Sequence, residues 1–173
     1  MDKLLIPISN EEFNRVINIK FRIILDGFNL FKNFTIEADN IKEGENKLIK
    51  FIEKIFEENN NEGYVDFYIN KLSHEDREKL ISLICEEDAE ILKLHLNLKP
   101  TNSVYYKLTN KDLIPFLVRL NTREFFFVTF YFCNKPITIW GNYNMKFPCF
   151  FNNEEVFNSY YSLSKSFGFQ LVQ

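Results

Sequence analysis

The chain has 173 residues, 46% apolar and 26% charged, with a formal net charge of −3. That length suits one domain, and the composition is that of an ordinary globular protein rather than a disordered chain or a membrane bundle. Fourteen acids against nine bases fall in residues 41–100, and no basic stripe is present to neutralise phosphates, so neither nucleic-acid nor membrane binding is expected.

Ser9-Asn-Glu-Glu12 pairs a capping side chain with an acid three residues on, the signature of a helix start. The residues before it hold only a short apolar stretch ended by Pro7, unlike a secretory signal, and predict a cytoplasmic protein. Ile17, Ile19, Phe21, Ile23 and Leu25 alternate with Asn18, Lys20 and Arg22, which predicts a strand closed by a hairpin turn at Asp26-Gly27. Its return strand falls near Phe34–Glu37. Leu48, Ile52, Ile55 and Phe56 give a helix face, the segment from Glu57 to Gly63 a polar loop, and Val65, Phe67 and Ile69 a strand.

A second capping pattern, Ser73-His-Glu-Asp76, precedes Leu80, Ile81 and Ile84 at helical spacing. Glu86, Glu87, Asp88 and Glu90 then read as a polar turn. Leu92, Leu94, Leu96 and Leu98 alternate with Lys93, His95, Asn97 and Lys99, the pattern of a strand wet on one face. Val104–Leu108 reads as its neighbour across a turn at Pro100-Thr101-Asn102. Thr109-Asn-Lys-Asp112 opens a helix carrying Leu113, Leu117 and Leu120, which Pro115 must kink or start late.

Residues 123–151 hold eleven aromatic side chains and read as three strands. Phe125–Phe132 is apolar on both faces and predicts an inner strand, Ile137–Trp140 pairs back on it, and Met145–Phe151 follows. Pro148 lacks the ladder donor and points to an edge or a bulge. Asn152-Asn-Glu-Glu155 caps a last helix with Val156, Tyr160, Leu163 and Phe167 on one face, ended by Gly168 before a short final strand. Hairpins mixed with helices predict one α+β domain over residues 1–173, with a largely antiparallel sheet and helices packed on it.

Chemistry is sparse. The five glycines stand apart, so no dinucleotide loop, P-loop or nucleophile elbow can be written from them, and no cofactor is expected. Cys85, Cys133 and Cys149 are odd in number without C-x-x-C spacing, which argues against a disulfide scaffold or a metal site and for buried, reduced thiols. His74 falls in a first helical turn, and His95 on the polar side of its predicted strand. Neither gives a sign of meeting Cys85 as a base–nucleophile pair. Glu45-Asn-Lys47 has an E-x-K spacing used by some nucleases but lacks an acid on a preceding strand. No catalytic residue is assigned. Trp140 belongs at a core margin, and Tyr143, in a polar turn, is of the type found at binding hot spots.

A non-enzymatic intracellular binding protein is therefore expected, neutralising a protein partner by occlusion as an immunity-type inhibitor of a bacterial toxin or of a defence enzyme would. Glu86, Glu87, Asp88 and Glu90 are the expected contacts to a basic partner surface, with Tyr143 as an apolar anchor. The alternatives are a structural or assembly subunit using a strand edge near Pro148, and an enzyme with an unfamiliar carboxylate or cysteine site.

Overall fold

The computed structural model describes residues 4–98 and 102–173. They form one antiparallel sheet of β1 (Ile6–Pro7), β2 (Lys32–Glu37), β3 (Gly63–Asp66), β4 (Tyr105–Leu108), β5 (Phe130–Phe132), β6 (Ile137–Ile139), β7 (Lys146–Phe151) and β8 (Gln170–Val172). The spatial order is β1-β4-β3-β5-β6-β7-β2-β8. Seven helices accompany it: α1 (Asn10–Val16), α2 (Ile24–Leu30), α3 (Ile41–Glu58), α4 (His74–Leu83), α5 (Glu86–Leu96), α6 (Ile114–Thr122) and α7 (Glu154–Ser166). The α+β architecture is as the sequence predicts.

Strand register sorts the side chains into two faces. Phe34, Cys149, Ile139, Phe130, Val65 and Tyr106 lie opposite one another across successive strands and point to one face. There they meet Phe51, Ile52 and Ile55 of α3, Phe116 and Leu120 of α6, and Tyr160 of α7 in the main core. The other face carries Tyr64, Tyr131, Thr138 and Phe150. It is covered by the thinner layer of α1 and α2. Phe13 of α1 stacks on Tyr105 at 3.6 Å between ring centroids, and Phe28 of α2 meets Phe150 edge-on at 5.3 Å.

Local signals set most helix ends. Ser9 and Ser73 accept from the amides of Glu12 and Asp76 at 3.0 and 3.1 Å, as the capping pattern requires. The last helix is capped by Asn153 rather than Asn152. Pro115 does not kink α6 but sits in its first turn, where a missing amide costs nothing, after a short 3₁₀ turn capped by Asn110. Gly168 adopts φ +79 just past α7, as its expected role there demands.

Several expectations fail. No strand runs from Ile17 to Leu25: the segment is irregular up to Ile23 and then becomes α2. Gly27 makes no hairpin turn but presses against Phe21, whose Cζ would lie 2.5 Å from an added Cβ. Ile17 and Ile19 are buried because they fill the second face, and the Ile19 carbonyl accepts from the Thr138 hydroxyl at 2.6 Å instead of a strand partner. Leu92–Leu98 is not a strand either. It belongs to α5 and its end, where Ile91, Leu92 and His95 share the buried side and Leu94 is exposed. The neighbours of β4 are accordingly β1 and β3. The turn expected at Pro100-Thr101 lies outside the described residues.

Of Phe125–Phe132 only the last three residues form the inner strand β5, between β3 and β6. Phe125, Phe126 and Phe127 are half-buried in the turn that leaves α6. Pro148 is at neither an edge nor a bulge. It sits in the inner strand β7 opposite Thr35. Its carbonyl still accepts from the Trp140 amide at 2.9 Å, at the point where β6 has already ended, so the ladder loses little by the missing donor.

Candidate functional site

The acidic quartet falls not in a turn but in the first turns of α5, after Cys85 as the residue preceding the helix. Carboxylates are favoured there by the positive end of the helix. Glu86, Glu87 and Glu90 are exposed, whereas Asp88 is 2% exposed and turns inward. Arg119 of α6 grips it with two hydrogen bonds, from Nε to Oδ2 at 2.7 Å and from Nη2 to Oδ1. The bond to Asp88 holds the Arg119 guanidinium above its usual pKa. Asp88 is therefore a brace between α5 and α6 and not a contact for a partner.

Four residues on, at the cap just past the end of α6, Arg123 makes the same bidentate grip on Glu45 of α3, at 3.0 and 2.8 Å, and the Thr122 hydroxyl donates to the same carboxylate at 2.5 Å. Burial works against the Glu45 charge, but the bonds from Arg123 and Thr122 outweigh it and leave the carboxyl below its ordinary range. The E-x-K spacing at Glu45 is thus a structural ion pair.

Tyr143 is 56% exposed in the β6–β7 turn and lies edge-on to Phe127, with ring centroids 4.5 Å apart. The Asn144 amide that follows donates to Glu124 Oε1 at 2.7 Å. Glu124 comes just after Arg123, so both the acidic turn of α5 and the Tyr143 turn are tied to the C-terminal half of α6.

α4 adds what the quartet alone does not show. With α5 it forms a helical hairpin on the outer side of the main core, and Glu75, Asp76 and Glu78 are exposed on it. Leu83 and Leu94 stand out on the same hairpin, 52% and 47% exposed. The capping pattern at Ser73 makes α4 legible, but a polar turn at Glu86–Glu90 followed by a strand from Leu92 gives no sign that the two acidic runs share one hairpin.

His95 and Asp66 have partners of their own. His95 is buried, with Nδ1 2.8 Å from the Ile91 carbonyl and Nε2 accepting from the Leu5 amide at 2.8 Å, so the first nitrogen carries the proton. It lies ten residues beyond Cys85 on one helix, a rise of about 15 Å. The pair cannot meet. Cys85 is exposed, contrary to the expectation of buried thiols, while Cys133 is half-buried and Cys149 buried. Asp66, at the end of β3, accepts from the Thr129 amide at 2.6 Å and the Tyr131 hydroxyl at 3.3 Å. Burial pushes its pKa up to about 6.

A cavity of about 660 Å³ opens between β1 and the end of α3, lined by Leu4–Pro7, Phe56, Asn61, Leu98 and residues 109–111. Its one ionisable side chain, Lys111, is paired with Glu57 at 3.1 Å. Among the described residues no group of three His, Cys, Asp or Glu side chains is placed to hold a metal ion, and no helix is long and apolar enough to cross a membrane.

The chain matches no protein-family model, and neither a curated protein nor a solved structure matches it.

Proposed function

We propose that this protein acts by binding a basic protein partner and covering its working surface, as an immunity-type inhibitor of a bacterial toxin or of a defence enzyme does. The observation that carries the reading is the α4–α5 hairpin. Glu75, Asp76, Glu78, Glu86, Glu87 and Glu90 are exposed on it against the exposed bases Lys79 and Lys93. Helix dipoles account for the acids of the two first turns. They do not call for Glu78 and Glu90, which lie a turn further in. Leu83 and Leu94 supply apolar surface between the charges, so the hairpin combines steering with packing.

Asp88 drops out of the contact set because Arg119 already occupies it. Tyr143 stays as a peripheral anchor beside the end of α6. A partner that cleaves or binds nucleic acid presents a cationic site, and a carboxylate-rich hairpin would both attract and block it.

A photo-crosslinking amino acid placed at Glu90 in the native host tests this. One protein partner should be captured, and changing Glu86, Glu87 and Glu78 together to Lys should abolish its capture. Capture that ignores the charge reversal, or no partner at all, rejects the hairpin as the working surface.

A further inference from the structure

A cavity of about 270 Å³ lies where the α4–α5 hairpin meets β4 and the 3₁₀ turn Tyr68–Lys71. Ile69, Leu96, Leu98 and Tyr106 give it apolar walls, and among the described residues no carboxylate lines it. Its charged groups are two bases, Arg77 and Lys71, in a chain whose net charge is −3. His95 borders it with both ring nitrogens engaged. Arg77 differs from the two arginines at the end of α6. Arg119 and Arg123 each close the Nε–Nη2 edge of the guanidinium on a carboxylate, that of Asp88 or Glu45. On Arg77 the same edge makes one bond, from Nη2 to the Asn70 carbonyl at 3.0 Å. Its Nε is buried without an acceptor, and among the described residues no carboxylate pairs with the guanidinium. A buried donor left unpaired carries its desolvation cost in full, so this edge favours an incoming acceptor.

We propose that this cavity binds a small organic acid, with its carboxylate on Arg77 and its apolar body against Leu96, Leu98 and Tyr106. The planar fork of the guanidinium selects a carboxylate, which can accept from Nε and from the second hydrogen of Nη2 together. Lys71, exposed at the rim, adds attraction without competing for that edge. An inorganic anion would meet the charge but leave the apolar walls uncovered. At roughly 30 Å³ for each water-sized group, the volume admits about nine non-hydrogen atoms, the size of hexanoate or benzoate. A neighbouring cavity of about 340 Å³ shares Arg77 and Leu96 but is also lined by Glu78, whose charge disfavours an anion there. The site uses none of the exposed carboxylates of the hairpin, so it stands or falls apart from the protein partner.

The deciding experiment is calorimetric titration of the full chain with sodium hexanoate and sodium benzoate, using hexanamide and benzamide as neutral counterparts. At least one acid should bind at one site per chain with a Kd of about 1 mM or below, and its amide at least about 10-fold more weakly. Arg77→Gln should weaken the acid by about 30-fold or more, since it removes both the charge and the fork. Arg77→Lys, which keeps the charge without the fork, should fall between the two. Both variants also lose the bond to the Asn70 carbonyl, so Lys71→Gln serves as a check at an exposed position. It should weaken the acid by about 2- to 5-fold and leave urea unfolding unchanged. The comparison of acid with amide on the wild type needs no variant. A Kd above about 1 mM for both acids, or amides that bind as well as the acids, overturns the proposal. So does a folded Arg77→Gln that binds the acid unchanged, or inorganic phosphate bound more tightly than either acid.

Discussion

Replacing Asp88 by Ala isolates the brace that the structure reveals inside the acidic quartet. The side chains of Asp88 and Arg119 are 3% and 18% exposed, so the pair is largely withdrawn from water. Removing one partner of such a pair leaves the other buried and unpaired, at a cost of about 3–5 kcal/mol. Arg119 keeps some access to solvent, which places Asp88→Ala at the lower end, about 3 kcal/mol. In a domain of this size that corresponds to a fall of about 6–12 °C in Tm. Urea unfolding should show a lower midpoint with an unchanged slope. Removing both charges, with Asp88→Leu and Arg119→Met together, should come much closer to the wild type, since apolar replacement of a whole buried pair is often neutral. A loss below about 1 kcal/mol for Asp88→Ala, or a double variant no better than the single one, would refute the claim that this ion pair holds α5 on α6.

Phe130→Ala, at a buried position of the inner strand, should cost about 3–5 kcal/mol, whereas Phe127→Ala, which mainly loses its edge contact with Tyr143, should cost about 1 kcal/mol; urea midpoints compare the two. Gly141→Ala would put a Cβ 2.7 Å from the Val128 carbonyl oxygen and 2.5 Å from Asn121 Oδ1, and should destabilise by about 1–3 kcal/mol because backbone cannot step aside. Burial disfavours the His95 imidazolium and lowers its pKa below 6.5. The unfolded chain then takes up the proton first, so this contribution is complete above about pH 6.5 and is lost as pH falls towards the folded value. His95→Gln should flatten that limb of the stability curve. Asp66 has the opposite sign: with its folded pKa raised from 3.8 to about 6, its contribution is present below 3.8 and lost as pH rises through 6. Asp66→Asn should therefore gain stability relative to the wild type at about pH 7.5 and not at about pH 4, as read from unfolding at the two values.

Much of this fold is legible in the chain because its signals are local. The hydroxyls of Ser9 and Ser73 satisfy first-turn amides whatever the rest of the molecule does. Gly168 can take its positive φ because it has no Cβ. Residues 130–132 are apolar on both faces, and only an inner strand covered above and below suits them. The acidic surplus of the middle third is likewise a property of the sequence, and three of its four densest carboxylates do reach solvent.

What the tertiary structure decided are the cases in which one local pattern fits two environments. Alternation at Ile17, Ile19 and Phe21 records burial, but these residues lie over a sheet face where no strand edge was free to pair with them. The alternating leucines after Leu92 suit a strand by period. In α5, however, the buried positions are Ile91, Leu92 and His95, because α6 and the Phe67 ring cover that side of the helix. Pro148 is tolerated inside the sheet only because β6 stops just where its donor would be needed. Asp88 differs from Glu87 by facing Arg119, thirty-one residues away, and that choice between brace and exposed charge is made by helix packing, which no short stretch of sequence encodes.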